Sequence, residues 1–374
     1  MKPYNPFLIS GYYSPEYFCD RKIESDTIIN AMHNNRNITL VAPRRMGKTG
    51  LIKHVFYKLQ EEQPNIVTLY IDIYSTQNLG DFVRLLANAI LGKLDSEPQK
   101  AINRISKFIK SCRPVFTIDE FTGAPRVSLD IVPEQEQATL KEIFDYIASA
   151  DKRCYIAIDE FQQITEYPEC GVEALLRSYI QFIPNANFIF AGSKQHIMEQ
   201  MFLNAKKPFY LSTQILTIGA ICEEEYYKFA DELFKTQNNS LPQDVFHNIY
   251  SGVSGHTWYI QNILNRLYSY GTKINEELVK YAVNEVVKEN SYIYESLLSA
   301  YPRSCTSLLK AISKEGCVKE INAGSFISKY NLKTPSSVSS ALKKLIDKEL
   351  VYKSDKGYIV YDRFMNIWLR SQSF

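Results

Sequence analysis

The stretch PRRMGKTG, which runs from Pro43 to Gly50, carries the residue types that bind phosphate. Glycine lets the backbone approach the ligand closely, the Lys48 ammonium complements the β- and γ-phosphates and assists catalysis, and the Thr49 hydroxyl is a ligand for Mg²⁺. Successive backbone N–H groups at the start of a helix form a positively polarised nest for such an anion. The residues predicted to bind the nucleotide are Pro43, Arg44, Arg45, Met46, Gly47, Lys48, Thr49 and Gly50.

Two copies of Ile-Asp-Glu-Phe could each place carboxylates beside a magnesium ion, but only one of them can fill that place. The second copy follows the apolar run from Cys154 to Ile158, which is typical of a buried parallel strand. Asp159, at the end of this strand, is therefore predicted to hold Mg²⁺ through water, with Thr49 as the other protein ligand. Glu160 is predicted to be the general base that orients and deprotonates the attacking water.

The first copy has a different pattern, because apolar and polar residues alternate along VFTID. The sequence TGAP that follows has turn chemistry, and RVSLDIV alternates again after it. Alternation on both sides of a turn predicts a β-hairpin insertion at about residues 113–132. Asp119 and Glu120 are then surface or turn residues and do not bind magnesium.

The elements that position these residues alternate between strands and helices. A short β-rich run, Asn37 to Ala42, precedes the phosphate loop, and apolar residues recur at helical spacing after it. Another buried strand is predicted to begin at Asn187 and to end at Ser193. This order is the βαβ pattern of an α/β protein with a parallel sheet. Ser193 has two open roles, because its hydroxyl could contact the γ-phosphate or the water as a catalytic residue, or could cap the next helix.

Length and composition are typical of a globular protein of two or three domains. The chain has 374 residues, of which 45% are apolar and 22% are charged, and no apolar run is long enough to cross a bilayer. The scattered cysteines form no C-x-x-C pair, which indicates reduced thiols and a cytoplasmic protein. Residues 301–374 hold 13 Lys+Arg against 6 Asp+Glu. This basic end is typical of nucleic-acid binding, and equally of a solvated lysine-rich surface.

Three stretches in this order, VAPRRMGKTGLI, AIDEFQQI and FIFAGSKQHIMEQMF, resemble the prokaryotic ATPases grouped with the STAND and AAA+ P-loop NTPases. The resemblance implies a P-loop NTPase αβα core at residues 1–220, a helical lid at 221–300 and a winged helix at 301–374. It also implies ATP or ADP and Mg²⁺ as cofactors.

Two further stretches resemble segments of the same family that lie near the nucleotide. YFCDRKIESDTI resembles the segment near the adenine, which implies a nucleotide contact for Arg21. GVSGHTWYIQNILNRLY resembles the lid motif, with Thr257 in place of its proline, and implies a nucleotide contact for His256. The alternative for His256 is a helix-start histidine without a ligand.

The last part of the chain has the pattern of a helix-turn-helix followed by a wing. Thr334 has the side chain of an N-cap, Pro335 suits the first helical position, and two strands around Asp-Lys-Gly form the wing. This shape docks to duplex DNA, but in STAND proteins it also packs against the core, and both roles stay open. The residues predicted to face DNA are Ser336, Ser337, Ser340, Lys343 and Lys344.

Together these features predict an ATP-binding conformational switch that hydrolyses ATP slowly with Mg²⁺ and acts on DNA in one version of the hypothesis. The alternatives are a non-hydrolysing scaffold locked by ADP and a DNA-binding regulator whose affinity is set by ATP. Arg44 and Arg45 could contact phosphate or a neighbouring chain, and Arg177 could be a subunit-contact finger or a surface salt-bridge residue. A protein partner or self-association is therefore an expectation, and a membrane is not.

Overall fold

A five-stranded parallel sheet is the centre of the first of two units in the computed structural model. The structure describes residues 2–90, 93–94, 111–118, 125–131, 134–354 and 356–372. The elements of this unit are α1 (Lys22–His33), β1 (Ile38–Val41), α2 (Lys48–Glu62), β2 (Val67–Asp72), α3 (Leu79–Ile90), β3 (Cys112–Ile118), β4 (Pro125–Ile131), α4 (Glu136–Ala148), β5 (Cys154–Asp159), α5 (Val172–Ile180), β6 (Ala186–Gly192), α6 (Gln195–Leu203) and β7 (Gln214–Thr217).

The strand order β2-β5-β6-β1-β7 places β5 between β2 and β6 and β1 next to β6. All neighbouring pairs are parallel, so the carboxyl ends of these strands lie at one edge of the sheet. The register pairs Asp72 with Asp159 and Val41 with Gly192. The phosphate loop follows β1 at this edge, and the second acidic pair lies at the end of β5. The sheet therefore brings the two sequence motifs to the same edge.

Side chains of the interior strand β5 alternate between two hydrophobic clusters, one on each face of the sheet. Ile156 and Ile158 belong to the cluster that contains buried residues of α3, α4, α5 and α6. Tyr155 and Ala157 belong to the cluster that contains buried residues of α1 and α2. Helices therefore cover both faces, and the predicted αβα architecture is confirmed. The unbroken apolar pattern of β5 arises because both faces of this strand are buried.

β3 and β4 form a separate antiparallel pair, in which Cys112 is opposite Ile131 and Ile118 is opposite Pro125. The alternating pattern around the first Ile-Asp-Glu-Phe copy therefore predicted the hairpin correctly. Asp119 and Glu120 follow β3 and lie outside the described residues. The assignment of this pair to a turn stays a prediction.

The second unit comprises Met1–Ile9 and Tyr226–Phe374, whereas Ser10–Glu225 form the first. Its helical part consists of α7 (Glu223–Lys235), α8 (Gln243–Gly252), α9 (Thr257–Tyr270) and α10 (Glu276–Ser299). The winged helix consists of α11 (Arg303–Glu315), α12 (Gly324–Lys329), α13 (Pro335–Asp347), β8 (Val351–Ser354), β9 (Gly357–Val360) and α14 (Arg363–Ser371). The predicted division into a lid and a winged helix at residue 300 stays a prediction.

Helix α13 of the winged helix begins with the capping residues that the sequence indicates. The Thr334 hydroxyl accepts a hydrogen bond from the Ser337 N–H, and Pro335 is the first residue of α13. β8 and β9 pair antiparallel and form the wing.

In the described part of the chain, no helix has both the length and the apolar character needed to cross a membrane.

Candidate active site

The phosphate loop connects β1 to α2 and has the backbone conformation of an anion nest. Arg45 and Gly47 both have positive φ, 69° and 90°, while the chain between Val41 and Lys48 turns toward the start of α2. A side chain at Gly47 would meet no atom within 4 Å, but its φ would strain any L-residue, so this position requires glycine for its backbone. The loop and the helix start therefore fit a phosphate chain.

Thr49 and Asp159, predicted as magnesium ligands from distant parts of the sequence, are in direct contact. The Thr49 hydroxyl donates a hydrogen bond of 3.0 Å to Oδ2 of Asp159, and the Tyr70 hydroxyl donates one of 2.7 Å to the same oxygen. A hydroxyl and a carboxylate are the hard oxygen donors that Mg²⁺ prefers, with water and phosphate oxygens as its other ligands. Among the described residues no group of three or more His, Cys, Asp or Glu could hold a metal. The donor set therefore fits a magnesium ion carried on the nucleotide.

Glu160 lies beside this pair and is contacted by both other residues predicted to be catalytic. The Lys48 ammonium lies 3.6 Å from Oε1 of Glu160, and the Ser193 hydroxyl donates a hydrogen bond of 2.7 Å to Oε2. The carboxamide of Gln162 donates a second hydrogen bond to Oε2. Glu160 has a left-handed backbone with φ of 55°, an unusual conformation for glutamate that is often found at functional sites. The structure therefore brings Lys48, Glu160 and Ser193 together as the sequence predicts.

The charges around Glu160 favour its ionised form. Burial by itself would raise the pKa of this carboxyl, but the Lys48 ammonium, the hydrogen bonds from Ser193 and Gln162 and the charge of Arg44 hold the pKa of Glu160 below its usual value. Burial raises the pKa of the neighbouring carboxyl of Asp72, and the charges of Asp159 and Glu160 raise it further. An ionised Glu160 can accept a proton, which a general base must do.

Arg21 binds the backbone of the phosphate loop through its guanidinium group. It precedes α1, has a φ of 63°, and is only 4% exposed. Its guanidinium donates hydrogen bonds to the carbonyl oxygens of Met46 (3.2 Å) and Gly219 (2.7 Å), and it pairs with Glu24 at 2.8 Å. Arg21 therefore connects the loop to the segment that precedes α7. Its contact with the adenine end of a nucleotide stays a prediction.

Replacing Arg21 by alanine should lower the free energy of unfolding by about 2 to 4 kcal/mol, because the buried carbonyl of Met46 and the partly buried carbonyl of Gly219 lose a charged donor. Urea denaturation with fluorescence detection measures this loss. Arg36→Ala is the matched control, since Arg36 is exposed and its guanidinium donates only to the Asn30 side chain among its recorded bonds. Equal stability of the two variants would contradict a bracing role for Arg21.

Other predicted residues have contacts of a different kind. His256 belongs to the second unit, where its Nε2 lies 3.4 Å from Nη2 of Arg363, a residue of α14. The Arg177 guanidinium donates to the side-chain oxygen of Gln181 on the same helix, 2.7 Å away. The Arg44 guanidinium lies 5.7 Å from the centre of the Tyr74 ring. Roles in nucleotide or subunit contact for these three residues stay predictions.

Sequence reasoning missed three residues that contact the acidic pair or lie next to it, Tyr70, Asp72 and Gln162. Tyr70 and Asp72 are on β2, and their position beside Asp159 follows from the parallel register of β2 and β5. No local pattern shows which strand is the neighbour of β5. Gln162 follows Glu160 by two residues, so a position near this carboxylate could have been predicted. No periodic pattern in the sequence shows that Gln162, and not Gln163, contacts Glu160.

Comparison with known sequence families gives two matches. Residues 18–263 match a family described as "ATPase domain predominantly from Archaea". Residues 292–371 match a family described as "probable winged helix domain". No curated protein matches the chain in sequence.

The similarity to solved structures covers nearly the whole chain. The Walker-type ATPase PABY2304 of Pyrococcus abyssi is 18% identical, with a TM-score of 0.68, over 98% of this chain and 99% of its own. The ORC2 protein of Aeropyrum pernix, solved as ADPNP-ADP complexes, is 17% identical, with a TM-score of 0.63, over 98% of this chain and 95% of its own. The ORC1 protein of Aeropyrum pernix, solved with DNA, is 12% identical, with a TM-score of 0.56, over 98% and 96%. At these identities the likeness shows the fold.

Proposed function

This chain belongs to the family of ATPase domains found predominantly in Archaea, and from that premise we propose that it is a Mg²⁺-dependent ATP hydrolase with its active site at the phosphate loop. The carrying observation is the convergence of three segments, the start of α2, the residues at the end of β5 and the residue after β6, on one pair of adjacent carboxylates. Lys48, Ser193 and Gln162 contact Glu160, and Asp159 beside it contacts Thr49. Only the fold brings these side chains together.

In the proposed mechanism the backbone of the phosphate loop and the Lys48 ammonium bind the β- and γ-phosphates. Thr49 and Asp159 would hold Mg²⁺, which when bound neutralises phosphate charge. The Glu160 carboxylate orients a water molecule and accepts its proton as the water oxygen bonds to the γ-phosphorus and the bond to the ADP oxygen breaks. The Ser193 hydroxyl holds Glu160 in place from the neighbouring strand.

The direct test is the release of phosphate from ATP by the wild-type protein, with Mg²⁺ and with EDTA. Release that requires Mg²⁺ supports the hydrolase. ADP binding of ordinary strength without any release would instead favour a nucleotide-locked scaffold. Membership of the STAND group stays a prediction in either case.

We also propose that nucleotide binding acts as a conformational switch through Arg21. This guanidinium binds Met46 of the phosphate loop and Gly219, four residues before α7 begins at Glu223. A change of the loop on nucleotide exchange therefore reaches the segment that leads into the second unit. Hydrogen exchange at residues 219–225 should differ between the ADP and ATP-analogue states in the wild type, and this difference should disappear in Arg21→Ala.

A second proposed function, binding of duplex DNA by the winged helix, rests on a separate surface. Ser336, Ser340, Lys343 and Lys344 are exposed on α13, and Ser337 is partly exposed. An open groove of about 1070 Å³ beside the start of this helix is lined by the basic residues Arg303, Lys329 and Lys333, among others. Lysines and small hydroxyls are donors to phosphate oxygens, and the whole module has an excess of basic residues.

Replacing Lys343 and Lys344 together by alanine should weaken duplex binding. The slope of log K against log salt should fall by about 0.9 for each phosphate contact that is lost. Fluorescence anisotropy with labelled DNA at several salt concentrations measures both effects, in the presence of ADP or of an ATP analogue. A difference between the two nucleotides would support a regulator whose DNA affinity is set by ATP.

The matched control is Lys280→Ala with Lys288→Ala, which removes the same charge from the exposed side of α10. An equal loss in both double variants would show a non-specific charge effect and contradict a role for α13. Absence of binding at low salt would remove the DNA proposal altogether. Sedimentation in the same buffers would test self-association.

A further inference from the structure

The two carboxylate oxygens of Glu160 have different surroundings. Oε2 accepts hydrogen bonds from the Ser193 hydroxyl (2.7 Å) and from the Gln162 carboxamide (2.5 Å). Oε1 lies on the side of the phosphate loop, 3.6 Å from the Lys48 ammonium. We propose that Gln162 is a positioning residue, which together with Ser193 holds Oε2 so that Oε1 is the oxygen that receives the proton of the attacking water. This inference rests on the proposed hydrolase function.

The space for the Gln162 side chain is provided by a glycine. An ideal Cβ on Gly192, the last residue of β6, would lie 2.5 Å from Oε1 of Gln162 and 2.5 Å from Sδ of Met198. A side chain at residue 192 therefore cannot coexist with the observed carboxamide position. Gly192 has no need of a special backbone, because positive φ is not recorded for it. Its absent side chain is explained by the close approach of Gln162 and Met198.

The support of Gln162 is a short helix that is packed into the core. It lies on a 3-10 helix, Phe161–Glu166, that follows Glu160 directly. Phe161 anchors this helix in an aromatic cluster, with ring centres 4.5 Å from Phe190 and 5.4 Å from Phe209. A positioning residue on such an element can restrict a glutamate side chain, which otherwise has several rotatable bonds.

Packing alone does not explain a glutamine at this position. Gln162 is only 2% exposed, and its carbonyl oxygen has no hydrogen-bond partner within the part of the chain that the structure describes. A buried carbonyl without a partner opposes folding, and an apolar side chain of similar length would avoid this cost. The glutamine provides a side-chain N–H group that donates a hydrogen bond to Glu160. Removal of the carboxamide should therefore lower activity, whereas its two effects on stability, the lost hydrogen bond to the Glu160 carboxylate and the relief of the unpaired carbonyl, oppose each other.

Gln162→Met tests this directly, because methionine keeps the length of the side chain and removes the donor. We expect kcat for ATP to fall roughly 10- to 100-fold, as for a modest misplacement of a reacting group. KM and the affinity for ADP should stay within about twofold, and Tm should stay close to that of the wild type because the two effects on stability offset each other. A merely structural role would lower Tm and leave kcat unchanged.

Gln163→Met is the matched control at the next residue. The Gln163 carboxamide donates to the carbonyl oxygen of Thr76, 3.2 Å away, and has no recorded contact with Glu160. This variant should keep kcat within about twofold of the wild type. A loss of kcat equal to that of Gln162→Met would contradict the assignment.

Gly192→Ala reaches the same contact from the other side. The added Cβ displaces the Gln162 carboxamide and the Met198 side chain, so kcat should fall as in Gln162→Met. The double variant Gly192→Ala with Gln162→Met should be no slower than the slower single variant, because both changes remove one interaction. Additive losses would overturn the proposal.

A crystal structure of Gln162→Met gives a readout that does not depend on turnover. The Glu160 carboxylate should occupy a new or mixed orientation, and an unchanged orientation would overturn the positioning role. If the wild type hydrolyses ATP and Gln162→Met is equally fast, this inference alone fails. If the wild type never hydrolyses ATP, the proposed function fails, and the positioning role for catalysis fails with it.

Discussion

Glu160→Gln should lower the rate of ATP hydrolysis by roughly 100- to 10,000-fold, the range expected for the loss of a general base. Glutamine keeps the shape of the side chain and can still accept hydrogen bonds from Ser193 and Gln162, but it cannot take a proton from water. The nearby Lys48 ammonium loses only a contact of 3.6 Å. Phosphate release at saturating Mg·ATP measures the change, and ADP titration should show that binding persists.

The chain offers its own control for this prediction. Glu120 is the glutamate of the other Ile-Asp-Glu-Phe copy, which follows β3 of the separate antiparallel hairpin. Glu120→Gln should keep the wild-type rate, because β3 is not a strand of the central sheet. If Glu120→Gln is the inactive variant and Glu160→Gln is active, the assignment of the general base to the glutamate after β5 is wrong.

Lys48→Ala should abolish the stabilisation of the protein by ADP. In the wild type, ADP at 100 times its Kd should add about 2.7 kcal/mol to the free energy of unfolding and raise Tm accordingly. The Lys48 side chain is 8% exposed and lies beside Glu160, so its removal leaves a buried negative charge where phosphate must bind. The variant should therefore repel the nucleotide. Thermal denaturation with and without ADP and isothermal titration measure this.

Lys58→Ala is the control on the same helix. The Lys58 side chain is 37% exposed, and its ammonium pairs weakly with the exposed Asp26 at 3.5 Å. This variant should bind ADP like the wild type, because exposed pairs contribute little. An unchanged Tm shift with ADP in Lys48→Ala would contradict the placement of the phosphates at the start of α2.

Several local features of the protein are predictable from short contiguous stretches of its sequence. The phosphate loop depends on a strand, a glycine with positive φ and a helix start that are neighbours along the chain. The two Ile-Asp-Glu-Phe copies differ in the periodicity of the strands before them, and the structure confirms one buried parallel strand and one hairpin. The N-cap Thr334 acts on a residue only three positions away. Such features are readable because the interacting groups are close in sequence.

The composition of the candidate active site was decided by the tertiary structure. Tyr70 contacts Asp159 because β2 pairs with β5 in one particular register, and a shift by one residue would turn Tyr70 to the opposite face. Arg21 donates hydrogen bonds to Met46 and Gly219, and these three residues are far apart in the sequence of the first unit. Gln162 reaches Glu160 only because Gly192, on another strand, leaves space for it.

The physical reason for this division is the range of the interactions. Helix caps, turns and strand periodicity are set by the backbone conformation of a few consecutive residues, so residue types alone reveal them. Hydrogen bonds between strands and the filling of space beside a glycine depend on which elements become neighbours and in which register. For this protein, the sequence alone therefore determined the phosphate loop and the choice of acidic strand. Only the tertiary structure decided which side chains contact Glu160.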